Sequence, residues 1–540
     1  ELAAIARETW RYFERCVTGD DHHLPPDNLQ TQPHEMLAHR TSPTNIGLYL
    51  LSVACAREFG WITTAELLQR LQDTLDTLER LPRERGHFFN WYDTQSLAPL
   101  LPMYVSTVDS GNLSGHLLAV AQACKVMAQT QAADGPASAP ALQGVAQRCE
   151  ALAWAADFAF LYHPRRHLLH IGYRVAEQQL DAGFYDLLAS ESRLTSLLAI
   201  AKGDVPVRHW AALGRPFYAV GAVAGLRSWS GSMFEYLMPT LVLAEPHGSV
   251  LHQACQAALL EQRAYAAAQG VPWGISESAY AGCDYTLAYQ YAPQGVPRLA
   301  LRRTPPDELV VAPYATALAA QVDAHRATRN FARLQKLGAR GSMGFIEALD
   351  YSPARQSGGE TLTLVHTFMA HHQGMTLVAL ANVLLDGAPQ RWGMANPHLE
   401  AMVSLLHERA PREVSGLHPL PPEPPPQAQR RNAPTLQRNV QPGQHAIEPT
   451  QLLSNGRYSV ALRANGAGRS RCGGQDITRW RDDALRDAHG SFIWLRRCGA
   501  GDDPTLVSLT QHPAPDPQAD YQSTSEEHTS ELQSPLNISY

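Results

Sequence analysis

Six times along this chain of 540 residues, a loop rich in Gly, Ser, Thr, Asn or Pro gives way to a helix-length run of Leu, Ala, Val and small residues. The starts are Thr41-Ser-Pro-Thr-Asn-Ile-Gly47, Ser110-Gly-Asn-Leu-Ser-Gly115, Ser190-Glu-Ser-Arg-Leu-Thr195, Ser230-Gly-Ser-Met-Phe-Glu235, Ala312-Pro-Tyr-Ala-Thr316 and His371-His-Gln-Gly-Met-Thr376. Each pattern suits a capped helix start, and a body apolar on nearly every side belongs inside a structure. The segments between them, such as Thr63 to Arg80 and Ala315 to Leu337, carry charge on one face and suit an outer layer. Six inner helices alternating with six outer ones predict a mainly α fold, an (α/α)6 toroid. An irregular helical bundle is the alternative. In a toroid the polar loops gather at one end of the ring, around a concave site.

The helical pattern stops near Arg412. Residues 418–434 contain Pro-Leu-Pro-Pro-Glu-Pro-Pro-Pro, which favours extended polyproline structure. Beyond it, Leu452-Leu-Ser-Asn-Gly-Arg-Tyr-Ser-Val-Ala-Leu462 alternates apolar and polar residues around an Asn-Gly turn, and Ser491-Phe-Ile-Trp-Leu-Arg496 predicts another strand. We therefore expect a toroid over 1–415, a Pro-rich linker over 416–448 and the truncated start of a β-sandwich over 449–522. The style changes once more at 523–540, which we expect to be a non-native tail and exclude from the fold.

Composition narrows the chemistry. Charged residues make up 18%, against a usual value of about 25%. A net charge of -7 and single or paired arginines leave no basic face for nucleic acid, so a neutral partner is expected. Only Lys125, Lys202 and Lys336 are available for Schiff-base or P-loop chemistry, and both are set aside. The eight cysteines are scattered without a C-x-x-C pair, as expected of small buried residues in a reducing compartment. Apolar runs such as Thr376 to Leu385 fall short of the roughly 20 residues that span a bilayer. The chain begins at Glu1 without Met, and we expect a soluble piece of something longer.

Against this sparse charge, three glutamates stand out among aromatics, glycines and small residues: Glu235 after Trp229 and beside Tyr236, Glu277 after Trp273, and Glu347 ahead of Asp350. Desolvation raises the pKa of such a carboxyl group, which suits acid, base or nucleophile roles in sugar chemistry. Each has a bland alternative: a helix start for Glu277, pairing with Arg340 or Arg355 for Glu347, and capping of a neighbour for Glu235. Asp109 and Asn112 lie in Tyr104-Val-Ser-Thr-Val-Asp-Ser-Gly-Asn-Leu113, where Asp109 is a helix cap or a cavity group. Asn90-Trp91-Tyr92-Asp93 and Tyr289-Gln290-Tyr291 offer aromatic faces with polar neighbours, suited to stacking on pyranose rings. His371, His372 and Gln373 suit substrate hydrogen bonds or capping. With no acidic ligand pattern beside His366, His371 and His372, neither a metal nor another cofactor is expected.

The loop-to-helix starts and the glutamate motifs, together with Gly86-His-Phe-Phe-Asn-Trp-Tyr-Asp93, Met233-Phe-Glu-Tyr-Leu-Met-Pro239, Trp273-Gly-Ile-Ser-Glu-Ser278 and Met369-Ala-His-His-Gln-Gly-Met375, resemble the glycoamylase-like middle region of bacterial cyclic β-1,2-glucan synthases, glycoside hydrolase family 189. The resemblance covers about residues 1–415. Residues 449 to about 505, with Leu453-Ser-Asn-Gly-Arg-Tyr458 and Ile477-Thr-Arg-Trp480, resemble the opening β-sandwich of the family 94 phosphorylase-like region of the same synthases. The resemblance implies a β-1,2-glucan substrate, closed into a ring by the toroid through retaining transglycosylation. It also implies a membrane-embedded glycosyltransferase region and a phosphorylase-like region in the parent chain, at the cytoplasmic side of a bacterial inner membrane. On this basis Glu277 is expected as acid/base and Glu347 as nucleophile, supported by Glu235, Asp109 and Asp350. An endo-β-1,2-glucanase and a non-catalytic glucan-binding module are the alternatives.

Overall fold

A computed structural model describes residues 1–130, 138–283, 288–305, 307–356, 360–417, 438–440, 450–455, 457–479, 489–496, 506–512, 523–525 and 538–539. The chain divides into two compact units, Glu1–His418 and Pro419–Tyr540.

Among the described residues of the first unit, helices alternate between two layers. The outer layer comprises α1 (Leu2–Cys16), α3 (Thr64–Arg80), α5 (Ser138–Ala155), α7 (Arg208–Ala212), α9 (Val250–Gln269) and α11 (Ala324–Lys336). The inner layer comprises α2 (Pro43–Glu58), α4 (Thr107–Thr130), α6 (Arg193–Lys202), α8 (Met233–Leu237), α10 (Pro313–Ala320) and α12 (Ala370–Leu384). The six expected inner starts open these six inner helices. From Pro43 to Ala56 every residue of α2 is buried, and α8 and α10 are buried throughout, whereas α3 and α11 bury a single stripe. Helix α12 packs against both α10 and α2, which closes the ring. The expected toroid is therefore the fold.

One boundary differs from expectation. The outer segment proposed for Ala315 to Leu337 breaks at Gln321–Asp323, because Asp323 accepts from Arg326 N and starts a new helix; its first part belongs to the inner helix α10. Inner helices approach closely where side chains are missing. A Cβ on Gly111 of α4 would fall 1.9 Å from Thr195 Oγ1 of α6, and one on Gly374 of α12 would fall 2.7 Å from Leu48 Cβ of α2. Strand 28–30, in the loop between α1 and α2, pairs with 367–369 just before α12, with Leu29 opposite Phe368. That pairing ties the two ends of the ring together at the face where the inner helices begin.

In the second unit the expected hairpin is present: Thr450–Ser454 pairs antiparallel with Tyr458–Arg463, which pairs with Gly468–Cys472 and through it with Gln475–Asp476. The expected strand near Ser491 is Trp494–Arg496, paired with Leu506–Ser508. Strand 438–440 pairs with 523–525, joining the stretch expected as linker to the one expected as tail. Most of the Pro-rich segment, Gly456 of the Asn-Gly turn and Trp480 lie outside the described residues. Among the described residues no helix is long and apolar enough to cross a membrane. Cys16, Cys55, Cys124, Cys149 and Cys255 are buried free thiols.

Candidate active site

Because all six inner helices start at one face, their N-terminal turns and preceding loops surround a cavity of about 310 Å³. Helix α2 contributes Ser42 and Thr44, α4 contributes Val108, Asp109 and Asn112, and α8 contributes Phe234. Glu191 enters from the loop before α6, Glu277 and Tyr291 from the segment between α9 and α10, and Met369 and His371 from the start of α12. Asp27, Arg40, Asn90 and Trp91 complete the wall. Arg40, Asn90 and Trp91 also line a groove of about 800 Å³ that continues to Leu100–Tyr104, Arg174 and Glu177, so the cavity opens into a longer cleft.

Four carboxyl groups face this cavity, and their hydrogen bonds differ. Asp27 is held by Arg40 Nη2 at 3.2 Å, Asn28 Nδ2 at 2.9 Å and Asn45 Nδ2 at 3.0 Å. Asp109 accepts from Thr44 Oγ1 at 2.5 Å, and Asn90, oriented so that both its amide atoms are satisfied, donates to its second oxygen at 3.0 Å. The helix cap is Ser106, whose Oγ accepts from Asp109 N, so the Asp109 carboxylate is left to face the cavity while burial raises its pKa. Glu277 accepts from Tyr291 Oη at 2.8 Å through one oxygen, and Glu191 is touched by Ser190 Oγ at 3.3 Å through one oxygen. Glu191 and Glu277 are thus the two with an oxygen left for a substrate.

Burial pushes the Glu277 carboxyl up to about 7, with repulsion from Glu235 and Asp109 adding to it and the Tyr291 hydroxyl opposing it. Burial and repulsion from Glu235 and Glu277 push Glu191 up to about 8. Two like charges in one cavity cannot both form cheaply, so the pair tends to retain one proton near neutral pH.

Several expected site residues have other occupations. Glu235 closes a capping box with Ser232 at the start of α8; its carboxylate also accepts from Ser228 Oγ at 2.8 Å and from Ser230 N and Oγ at 3.0 and 2.6 Å. With both oxygens taken it acts as the cap that was its alternative. Glu347 is 2% exposed and turned away from the cavity, accepting from Ala279 N at 3.1 Å and sitting 2.8 and 3.0 Å from His372 Nδ1. Its expected arginine partners are engaged elsewhere, Arg340 with Glu8 and Arg355 with Asp350. Asp350 itself is fully buried, bound by Arg355 and by the N–H groups of Ala281 and Ser352.

The aromatic motifs divide in the same way. In Asn90–Asp93, Asn90 and Trp91 line the cavity, with the Arg40 guanidinium 5.2 Å from the Trp91 ring. Tyr92 is buried, its hydroxyl donating to Pro82 O and accepting from Phe89 N, and Asp93 holds a turn by accepting from Gln95 N and Ser96 N. Tyr291 reaches the cavity, while Tyr289 packs against the small cluster of Ala279, Val310, Ala348 and Val365, and Gln290 bonds Ala288 O locally. Tyr236 and Trp273 are core residues, and Trp229 is 63% exposed outside the cavity wall. Asn112 donates to Thr44 Oγ1 at 3.2 Å. His371 faces the cavity and bonds Asn45 Oδ1 at 3.1 Å; His372 is buried behind it, and Gln373 lies beside Glu347.

Sequence reasoning missed Asp27, Arg40 and Glu191 as site residues. Glu191 stands within Ser190-Glu-Ser192, at one of the six inner helix starts, and the absence of a nearby basic residue other than Arg193 was its signal.

Comparison with known proteins agrees with this architecture. Residues 183–397 match a family model described as "Putative glucoamylase", and residues 436–535 match the glycosyl hydrolase 94 supersandwich domain. Cyclic β-(1,2)-glucan synthase NdvB of Rhizobium meliloti (strain 1021) is 39% identical over 93% of the chain, which spans 22% of that relative's length. Two solved structures share the fold of the helical unit. The endo-β-1,2-glucanase of Chitinophaga pinensis, in complex with sophorotriose and glucose, has a TM-score of 0.59 at 16% identity, covering 75% of this chain and 97% of that one. The endo-β-1,2-glucanase of Talaromyces funiculosus, in complex with sophorose, has a TM-score of 0.59 at 14% identity, covering 77% and 93%. Both units therefore fall among the domains of carbohydrate-active enzymes, and the resemblance to cyclic β-1,2-glucan synthases is borne out.

Proposed function

We propose that this chain, as a relative of the cyclic β-1,2-glucan synthases, closes linear β-1,2-glucan into rings by transglycosylation, with Glu277 as acid/base and Glu191 as nucleophile. The single observation that carries this reading is that these two carboxyl groups, alone among the four facing the cavity, keep an oxygen free. Glu277 protonates the glycosidic oxygen as the bond breaks, and its developing carboxylate is met by the Tyr291 hydroxyl. Glu191 attacks the anomeric carbon, giving a glycosyl-enzyme ester and releasing the reducing-end fragment. The 2-hydroxyl at the other end of the same glucan then attacks that carbon while Glu277 takes its proton, so the ring closes and Glu191 is freed. Asp27 and Asp109, with both oxygens bonded, fix the cavity-wall groups Arg40 and Asn45, and Thr44 and Asn90, that meet the substrate, and Trp91 stacks on a pyranose ring.

The long cleft favours a bound chain over a short oligosaccharide, because the groove beyond Trp91 offers surface for residues remote from the scissile bond. We assign the parent protein a membrane-embedded glycosyltransferase region that makes the linear chain and a phosphorylase-like region that trims it, at the cytoplasmic side of the membrane. Incubation of the purified chain with linear β-1,2-glucan, followed by mass analysis of products, tests the proposal. Cyclic products, each lighter than its linear counterpart by one water, are expected. Release of linear oligosaccharides alone would make it an endo-β-1,2-glucanase, and binding without turnover a glucan-binding module.

A further inference from the structure

Behind the cavity, a line of polar groups runs from the buried Glu347 to Glu277. The Glu347 carboxyl faces His372 Nδ1 with Oε1 at 2.8 Å and Oε2 at 3.0 Å; Oε1 also accepts from Ala279 N, so Oε2 is the oxygen able to carry a proton toward Nδ1. On the far side of the imidazole, Nε2 lies 3.5 Å from Tyr291 Oη, and Tyr291 Oη donates to Glu277 Oε1 at 2.8 Å. The imidazole cannot turn freely, because Tyr314 stacks on it with centroids 3.6 Å apart and planes at 10°. Tyr314 is itself fixed by hydrogen bonds from its hydroxyl to Ser276 Oγ at 2.7 Å and to Glu277 O at 2.9 Å. The proposed reaction uses neither Glu347 nor His372, although both are almost wholly buried.

We propose that Glu347 is a positioning residue whose protonation, passed through the tautomer of His372, decides whether Tyr291 donates its proton to Glu277. This rests on the reading of Glu277 as acid/base. With Glu347 protonated, Oε2–H donates to Nδ1, Nε2–H donates to Tyr291 Oη, and Tyr291 donates to Glu277. Every donor then points the same way. When Glu347 ionises, its proton passes to Nδ1 and the proton on Nε2 leaves to water. The bare Nε2 then accepts from Tyr291, and Glu277 loses its one donor. Its carboxylate is less stabilised, and Glu277 becomes a weaker acid.

Burial supports the first state at neutral pH. It pushes Glu347 up to about 8, with His371 opposing and Asp27 reinforcing the shift, and it holds His372 neutral. The other groups facing Glu277 are Glu235, Asp109, Arg302 and Tyr185, and Glu191 across the cavity. None of these lies on the line through His372.

The test compares Glu347→Gln, Glu347→Ala and Tyr291→Phe in the full chain. A glutamine reproduces the protonated state, its oxygen accepting from Ala279 N and its amide donating to Nδ1. In ¹³C-glutamate spectra, with the Glu277 carboxyl identified by its loss in Glu277→Gln, the wild-type signal should show a second inflection at alkaline pH. That inflection should be absent in Glu347→Gln. Turnover near neutral pH should stay within about threefold of wild type in Glu347→Gln and fall by roughly tenfold in Glu347→Ala, the size expected for one hydrogen bond. A Glu277 titration unchanged in Glu347→Gln overturns the proposal, as does loss of all turnover in a folded Glu347→Gln. Should Glu347→Gln not fold, Tyr291→Phe decides, since persistence of the second inflection without the tyrosine hydroxyl overturns the relay. If the wild type turns over no glucan, the functional reading fails, while the carboxyl titration still judges the relay.

Discussion

Arg193 and Glu245 form an ion pair at 2.7 Å with both side chains almost completely removed from solvent. The same guanidinium donates to the carbonyls of Ser190, Glu235 and Tyr236, so it joins α6 to α8 where the ring has its shortest inner helix. It also sits two residues after Glu191. The pair therefore holds the wall from which the proposed nucleophile projects.

Removing one partner leaves a buried charge uncompensated. Arg193→Met or Glu245→Gln should destabilise the chain by about 3–5 kcal/mol. Chemical denaturation of each variant beside wild type checks this, and the double variant should cost less than the sum.

Glu191→Gln and Glu277→Gln should each lower cyclisation by on the order of 10²–10⁴. Retained affinity for linear β-1,2-glucan, measured by calorimetry, would separate a chemical loss from a loss of fold. With an activated glucoside and a small residue in place of either carboxylate, azide should give the glycosyl azide of inverted configuration where the nucleophile has been removed and of retained configuration where the acid/base has been removed, which distinguishes the two roles.

Glu235→Ala should act on stability. It deprives Ser228, Ser230 and Ser232 of their common acceptor and breaks the capping box of α8, which should cost about 1–3 kcal/mol. A lowered thermal midpoint is the expected observation.

Activity should pass through a maximum between about pH 7 and 8, because the pair must keep one proton: Glu191, pushed up to about 8, has to be ionised to attack, while Glu277, pushed up to about 7, has to hold the proton it gives. Stability has its own pH dependence. Glu347 shifts from 4.5 to about 8 on burial, so its folded form binds a proton more tightly than the unfolded chain does. The resulting stability is fully present below pH 4.5 and is lost as pH rises through about 8. Denaturation midpoints across this window should decline in the wild type and decline less in Glu347→Gln.

Trp91→Ala should weaken glucan binding by roughly tenfold, given an aromatic contact worth about 1–1.5 kcal/mol. A titration followed by calorimetry checks it.

Much of this protein was legible along the chain. Period and capping pattern determine helices locally, so the six inner starts and the alternation of layers followed from loops such as Thr41–Gly47 and from the apolar bodies after them. Glu277, Asp109, Asn90, Trp91, Tyr291 and His371 were likewise found by their setting, and all face one cavity. The order of motifs also carried the relationship to the glucan synthases.

Only the tertiary structure decided what each buried carboxylate does. Glu235 and Glu347 looked like Glu277 in sequence, yet one is saturated by three serines and the other by His372 and Ala279 N. Those partners all lie within seven residues of Glu235 but 25 and 68 residues away from Glu347. Glu191 and Asp27 were passed over because the cavity they face is made by segments remote in the chain. Local sequence sets which residues are helical or costly to bury; which of them meet, and which oxygen remains free, is settled by contacts that only ring closure creates.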